Sequence, residues 1–210
     1  MDNFFSKGQL NMNSVVTSTL TNTFNHDLRS GDYGESWTRE FLKWKGIDVF
    51  KCDTPAFRSL DVDFTTDYTL STSNDPEEIL NARYPLIEVK TDKSKSQNQC
   101  IEIVSNFNND SPGWALITAA TDIFSIFPNL NRCFVYDGQA LKAYAESIKD
   151  DNSIKTLITN TYGKGGKLLY KSAVKLVNRK TLKELGILVR EFKLDDYELL
   201  FKQARNGKIN

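Results

Sequence analysis

The alternation of apolar and polar residues along the chain changes period several times, and each change predicts an element. Trp37, Phe41 and Trp44 recur at i, i+4 and i+7, so residues 34–45 predict a helix with an aromatic stripe facing the core and Gly46 as its stop. Ile47–Lys51 and Leu60–Tyr68 switch to a period of two and predict strands, joined by a loop that holds Pro55 and the pair Arg58-Ser59. Leu60, Val62 and Phe64 would share one face of the second strand; Asp61, Asp63 and Thr65 would share the other. Residues 71–81 are polar and read as a loop, with a possible helical turn at Pro76–Leu80. Tyr84–Thr91 and Cys100–Val104 predict further strands, and Pro112-Gly113 breaks the chain. An apolar helix or strand follows at Trp114–Thr121, then strands at Ile123–Phe127 and Cys133–Tyr136, then a helix at Gln139–Lys149.

The ends of the chain are less regular. Residues 1–30 are rich in Asn, Thr and Ser and read as an arm or weak helix. Asp150–Ser153 is a polar break. After it come a glycine turn at residues 163–166, a strand at Lys167–Val177, and helices at Thr181–Leu185 and Asp195–Ala204. The expected organisation is an arm (1–30), a core (31–150) and a C-terminal extension packed on that core (151–210).

Composition narrows the class. With 210 residues, 40% of them hydrophobic and 26% charged, the chain reads as one globular domain with an appendage. No apolar run approaches the ~18 residues that span a bilayer, and the N-terminus lacks the pattern of a secretory signal. Cys52, Cys100 and Cys133 form no CxxC pair, which argues against a zinc site and fits a reducing cytosol. A single histidine, His26, disfavours multi-histidine metal chemistry. The formal net charge of zero argues against an indiscriminate polyanion-binding surface but leaves room for a local basic groove. Lys164, Lys167, Lys171 and Lys175, with Arg179, Lys180 and Lys183, concentrate such charge near the C-terminus. They read either as a solvated face or as a track for a phosphate backbone.

The chemistry concentrates in Ile87-Glu88-Val89-Lys90, downstream of Asp61. On a strand, Glu88 and Lys90 point together while Ile87 and Val89 point the other way. Two acids supply hard oxygen ligands for a divalent ion, and the lysine adds a cation beside an attacking water. The plain alternative is a solvated strand face with cross-strand charge pairing. Glu35, in the first turn of the predicted helix, is also explained by the helix dipole alone.

The order of helix, strand, Asp-bearing strand, Glu-x-Lys strand, further strands and helix resembles the PD-(D/E)XK nuclease superfamily over residues 34–150. The resemblance implies an α/β fold whose mixed central sheet, flanked by helices, forms a restriction-endonuclease-like core. It implies Asp61 and Glu88 as metal-binding acids, Lys90 as the motif lysine, Glu35 as the helix glutamate, and the Val89 carbonyl as a further ligand. Leu60, where many members have proline, is a departure, and Asp63 rivals Asp61 as first ligand. Asn98–Glu102, Gly113-Trp114 and Thr118–Asp122 look like a subgroup among phage and resolvase-like nucleases, implying Glu102, or else Gln99, beside the site. The implied activity is Mg²⁺-dependent hydrolysis of DNA, with Mn²⁺ as substitute, by a structure-specific or junction-resolving endonuclease; a small single domain often works as a symmetric dimer, which adds a homodimer to the expectations. Lys93 and Lys95 would join Lys164, Lys167, Lys171 and Lys175 on the DNA backbone. Two other expectations stay open: a non-catalytic nucleic-acid-binding or inhibitory protein on such a fold, and a sequence-specific restriction-type enzyme.

Overall fold

A computed structural model describes residues 21–163 and 166–196, with side chains from residue 31 onward. In chain order the strands are β1 (Thr21–Thr23), β2 (Phe50–Lys51), β3 (Phe64–Thr65), β4 (Leu86–Thr91), β5 (Asn98–Asn106), β6 (Ser111–Pro112), β7 (Asp122–Phe127), β8 (Arg132–Asp137), β9 (Thr156–Tyr162), β10 (Leu168–Asn178) and β11 (Leu188–Lys193). The helices are α1 (Phe24–Trp44), α2 (Pro55–Ser59), α3 (Tyr68–Ser71), α4 (Pro76–Leu80), α5 (Trp114–Ile117), α6 (Gly138–Ile148) and α7 (Arg179–Glu184).

The fold is mixed α/β with a mixed central sheet flanked by helices. That sheet has the order β11-β8-β7-β4-β3-β2; every pair is antiparallel except β4 with β7. A second sheet, β1-β9-β10-β5-β6, stands beside it. Period-two alternation explains the two cores. Ile87 and Val89 of β4, Phe124 and Ile126 of β7, and Val135 of β8 meet Trp37, Phe41 and Leu42 of α1. The opposite face sends Leu86, Ile123, Phe127, Phe134 and Tyr136 into the larger core, with Leu141 and Ala145 of α6 and Ile101 of β5. α1 approaches β4 closely because residue 34 is glycine: a Cβ there would collide with the Thr91 hydroxyl. No helix of the described residues is long and apolar enough to cross a membrane.

Several expectations need correction. α1 begins at Phe24, ten residues before the predicted start and inside the stretch read as an arm or weak helix; residues 1–20 lie outside the described ones. Trp37 and Phe41 are core, stacked at 4.8 Å, whereas Trp44 is 43% exposed beneath the Lys45 ammonium. The second predicted strand shrinks to Phe64–Thr65, and the loop before it is the helix α2. Thr54 caps that helix and Pro55 opens it, while Phe57 is fully buried; these anchors outweigh the alternation that follows. Ile47–Asp48–Val49 stay outside β2. β9 and β11 were not anticipated. They, with β10, make residues 156–193 supply strands to both sheets. Most of the predicted last helix, and Lys164, lie outside the described residues.

Candidate active site

β3 pairs with β4 at Leu86 and Ile87, and among the described residues no strand flanks the next stretch of that β4 edge. Asp63 takes the strand's place. Its N–H donates to Ile87 O at 2.9 Å, and its Oδ2 accepts the Val89 N–H at 2.8 Å. A strand residue directs its N–H and C=O to the same edge, so the Val89 carbonyl also faces this gap. Burial pushes the Asp63 carboxyl up to about 6, against the pull of the Val89 N–H. Asp63 is thereby committed to the backbone, and Asp61 is the acid left to meet β4.

Asp61 does not sit on a strand, as the alternation suggested. It occupies the turn after α2 with φ +51°, a left-handed conformation that Asp tolerates better than most residues. Thr118 fixes that turn by donating its hydroxyl to Asp61 O at 3.1 Å, and Thr118 Oγ1 in turn accepts the Ala120 N–H at 3.1 Å. The result aims the Asp61 carboxylate at β4.

Three side chains converge there. Lys90 Nζ lies 2.6 Å from Glu88 Oε1 and 3.0 Å from Asp61 Oδ2. Glu88 is only 3% exposed, and burial pushes its carboxyl well above the usual range, against the pull of Lys90. Burial alone would lower the Lys90 ammonium; the Glu88 and Asp61 carboxylates outweigh that and hold it above the usual lysine range. The ring of Trp114, the first residue of α5, lies 5.1 Å from Lys90 Nζ, within cation–π distance. Glu102 of β5 accepts the Trp114 N–H at 3.3 Å, and its own carboxyl is raised by burial. Gly113 makes this junction possible, since a Cβ there would collide with the Glu102 backbone.

A cavity of about 250 Å³ opens on this group, lined by Glu35, Lys51, Asp53, Arg58, Asp61, Asp63 and Glu88 among others. Glu35 therefore does reach the site, where its Oε2 lies 2.7 Å from Lys51 Nζ. The hydrogen bond that Lys51 donates to the Glu35 carboxylate raises the Lys51 ammonium.

The remaining predicted residues scatter. Gln99 is buried and accepts the Tyr136 hydroxyl at 2.8 Å, a core role away from the acids. Lys93 and Lys95 are exposed past the end of β4, and Lys167 and Lys171 are exposed at and near the start of β10. Lys175 is withdrawn from the backbone track. It is 2% exposed, its Nζ donates to Asp151 O at 2.7 Å, and burial lowers its ammonium. Arg179 is also structural, its guanidinium donating to Asn98 O and Ser96 O and covering the rings of Phe127 and Phe134. Sequence reasoning named Lys51, Trp114 and Thr118 only within a strand or a stretch of resemblance and gave none of them a role at the site; none belongs to the short motif, and only folding brings them to it.

Lys90 acts as a stand-in cation that marks where the two carboxylates meet. Two carboxylates and a carbonyl edge suit Mg²⁺, which keeps several of its waters. They suit it only once the ammonium has moved aside, and among the described residues no three His, Cys, Asp or Glu side chains form a metal-holding group. Compared with known protein families, curated proteins and solved structures, the chain matches none.

Proposed function

We propose that this protein is a Mg²⁺-dependent deoxyribonuclease with a restriction-endonuclease-like core, hydrolysing DNA phosphodiester bonds. The observation that carries this reading is the convergence of Asp61 and Glu88 on one cation position, 2.6–3.0 Å from Lys90 Nζ. The order of elements supports it as well: α1, the antiparallel run β2-β3-β4, then β7 parallel to β4.

Asp61, Glu88 and the Val89 carbonyl are the groups that would hold the ion. Mg²⁺ held there would supply an activated water and offset charge growing on the phosphoryl oxygens. Lys90, on the same face of β4 as Glu88, would orient that water. The Trp114 ring, 5.1 Å from Lys90 Nζ, and Glu102, which accepts the Trp114 N–H, adjoin that lysine. Glu35, tied to Lys51, offers a further carboxylate at the cavity wall. Lys171 on β10 and Lys167 just before it are exposed and suit the backbone of a branched DNA, and a symmetric dimer would set two such sites on two strands.

A second reading has its own support. Lys90 already pairs with both acids, and no three-ligand group occurs among the described residues. A non-catalytic nucleic-acid-binding protein on the same frame would look like this. Incubation with linear, branched and single-stranded DNAs in Mg²⁺, in Mn²⁺ and in EDTA separates the two. The nuclease reading expects metal-dependent cutting, strongest on branched DNA. Binding without cutting under every condition favours the second reading, and cutting that survives EDTA excludes the metal.

A further inference from the structure

We infer that Arg58 is the residue that grips the phosphate of the substrate at the mouth of the acidic cavity; this rests on the nuclease reading above. Among the described residues, the cavity wall carries five carboxylates, those of Glu35, Asp53, Asp61, Asp63 and Glu88. A phosphodiester entering it meets like charge, so a cation at the entrance is needed to hold it. The basic residues that line the cavity, among those described, are Lys51 and Arg58. Lys51 is paired with Glu35 at 2.7 Å. Arg58 is exposed and forms no ion pair with any carboxylate among the described residues.

Its platform is rigid. Arg58 sits in the last turn of α2, which buries Ala56 and Phe57. Thr54 Oγ1 donates to Ser73 O at 2.6 Å, and Asn74 Oδ1 accepts the Ala56 N–H at 3.2 Å, so α2 is pinned to the turn before α4. Three residues later the chain reaches Asp61, and the Asp61 N–H donates back to Arg58 O at 3.4 Å. Arg58 and the candidate ligand Asp61 are thus fixed relative to each other. A guanidinium binds two phosphate oxygens in a fork that an ammonium cannot reproduce.

The test measures duplex and branched DNA affinity in Ca²⁺ across a salt series, together with cleavage in Mg²⁺, for wild type, Arg58→Ala and Arg58→Lys. Arg58→Ala is expected to weaken binding about tenfold and to lower the salt slope by about one, with an unchanged melting temperature. Arg58→Lys should restore the slope and only part of the affinity. Wild type that cuts DNA beside an Arg58→Ala variant with unaltered affinity and slope overturns the role of Arg58 alone. Wild type that neither binds nor cuts overturns the nuclease reading and this inference together.

Discussion

Two lysines on neighbouring sheets, Lys90 of β4 and Lys175 of β10, look alike in sequence and have opposite surroundings. Lys90 faces two carboxylates, which keep its ammonium charged despite burial. Lys175 is 2% exposed and donates to the Asp151 backbone carbonyl; the Asp151 and Asp150 carboxylates only partly offset its burial, so its ammonium is lowered. A strand lysine therefore says little by itself. What separates a candidate catalytic cation from a structural one is the acids that folding brings to it.

The sharpest way to break the contrast is Lys90→Met. Removing this lysine leaves Glu88 and Asp61 facing each other without a cation. A fully buried pair would lose ~3–5 kcal/mol; with Lys90 28% exposed, a loss of roughly 2 kcal/mol is expected in EDTA. Mg²⁺ should restore part of that loss while cleavage stays absent. Urea denaturation with and without metal reads both, and a variant as stable and active as wild type would end the argument for this site.

Glu88→Gln sharpens it next. The amide relieves the burial of a carboxylate, so the fold should hold its melting temperature within a few degrees while Mg²⁺-dependent cutting disappears. Retained cutting in that variant shows the carboxylate to be dispensable.

Asp63 gives a pH-dependent test. Its carboxyl titrates near 4 in the unfolded chain and is pushed up to about 6 in the fold. Between those values the folded state holds a proton that the unfolded state has lost. Stability should therefore fall as pH rises from about 4 to 6 and then level off. Asp63→Asn should flatten that slope and gain up to ~2–3 kcal/mol at pH 7, provided the amide oxygen keeps the Val89 N–H. An identical pH profile for the two proteins would show Asp63 to be ordinary.

The smallest effect belongs to Lys175→Met. Stability should change by less than about 1 kcal/mol, since one buried ammonium with one partner is replaced by an apolar chain. Its DNA salt slope should equal that of wild type. Lys171→Glu, at an exposed position on the same strand, should lower the slope by about one. A flattened slope in Lys175→Met would return that residue to the surface track.

Sequence pattern captured the elements that are most deeply buried. β4, β7 and β8 stand out as short apolar runs because each sends its two faces into the two cores, α6 repeats at helical spacing because one stripe enters a core, and their predicted bounds lie within a few residues of those observed. β9 and β11 escaped for the opposite reason. Every residue of β9 is half-buried, and four residues of β11 are exposed, so neither shows a contrasting face. Leu60–Tyr68 misled because Asp61 and Asp63 imitate an outward strand face, while the capping pair Thr54-Pro55 just upstream announced a helix. At the site, Glu88 and Lys90 were legible from adjacency on one strand. Lys175 was not separable from its neighbours, because its burial depends on β9, α7 and the Asp151 turn meeting around β10.

Gly34 gives the first helix a fulcrum. With only a hydrogen at that position, α1 rests directly on Thr91 and Val89, and the very next residue, Glu35, leans over the acidic cavity. Any larger residue would act as a wedge, prising the helix from the sheet and tilting Glu35 and its lysine partner away from the entrance, without altering one ionisable group. Gly-Glu at 34–35 thus works as a bearing and its attached arm, so that the alignment of the cavity wall is governed by an atom the chain does not have.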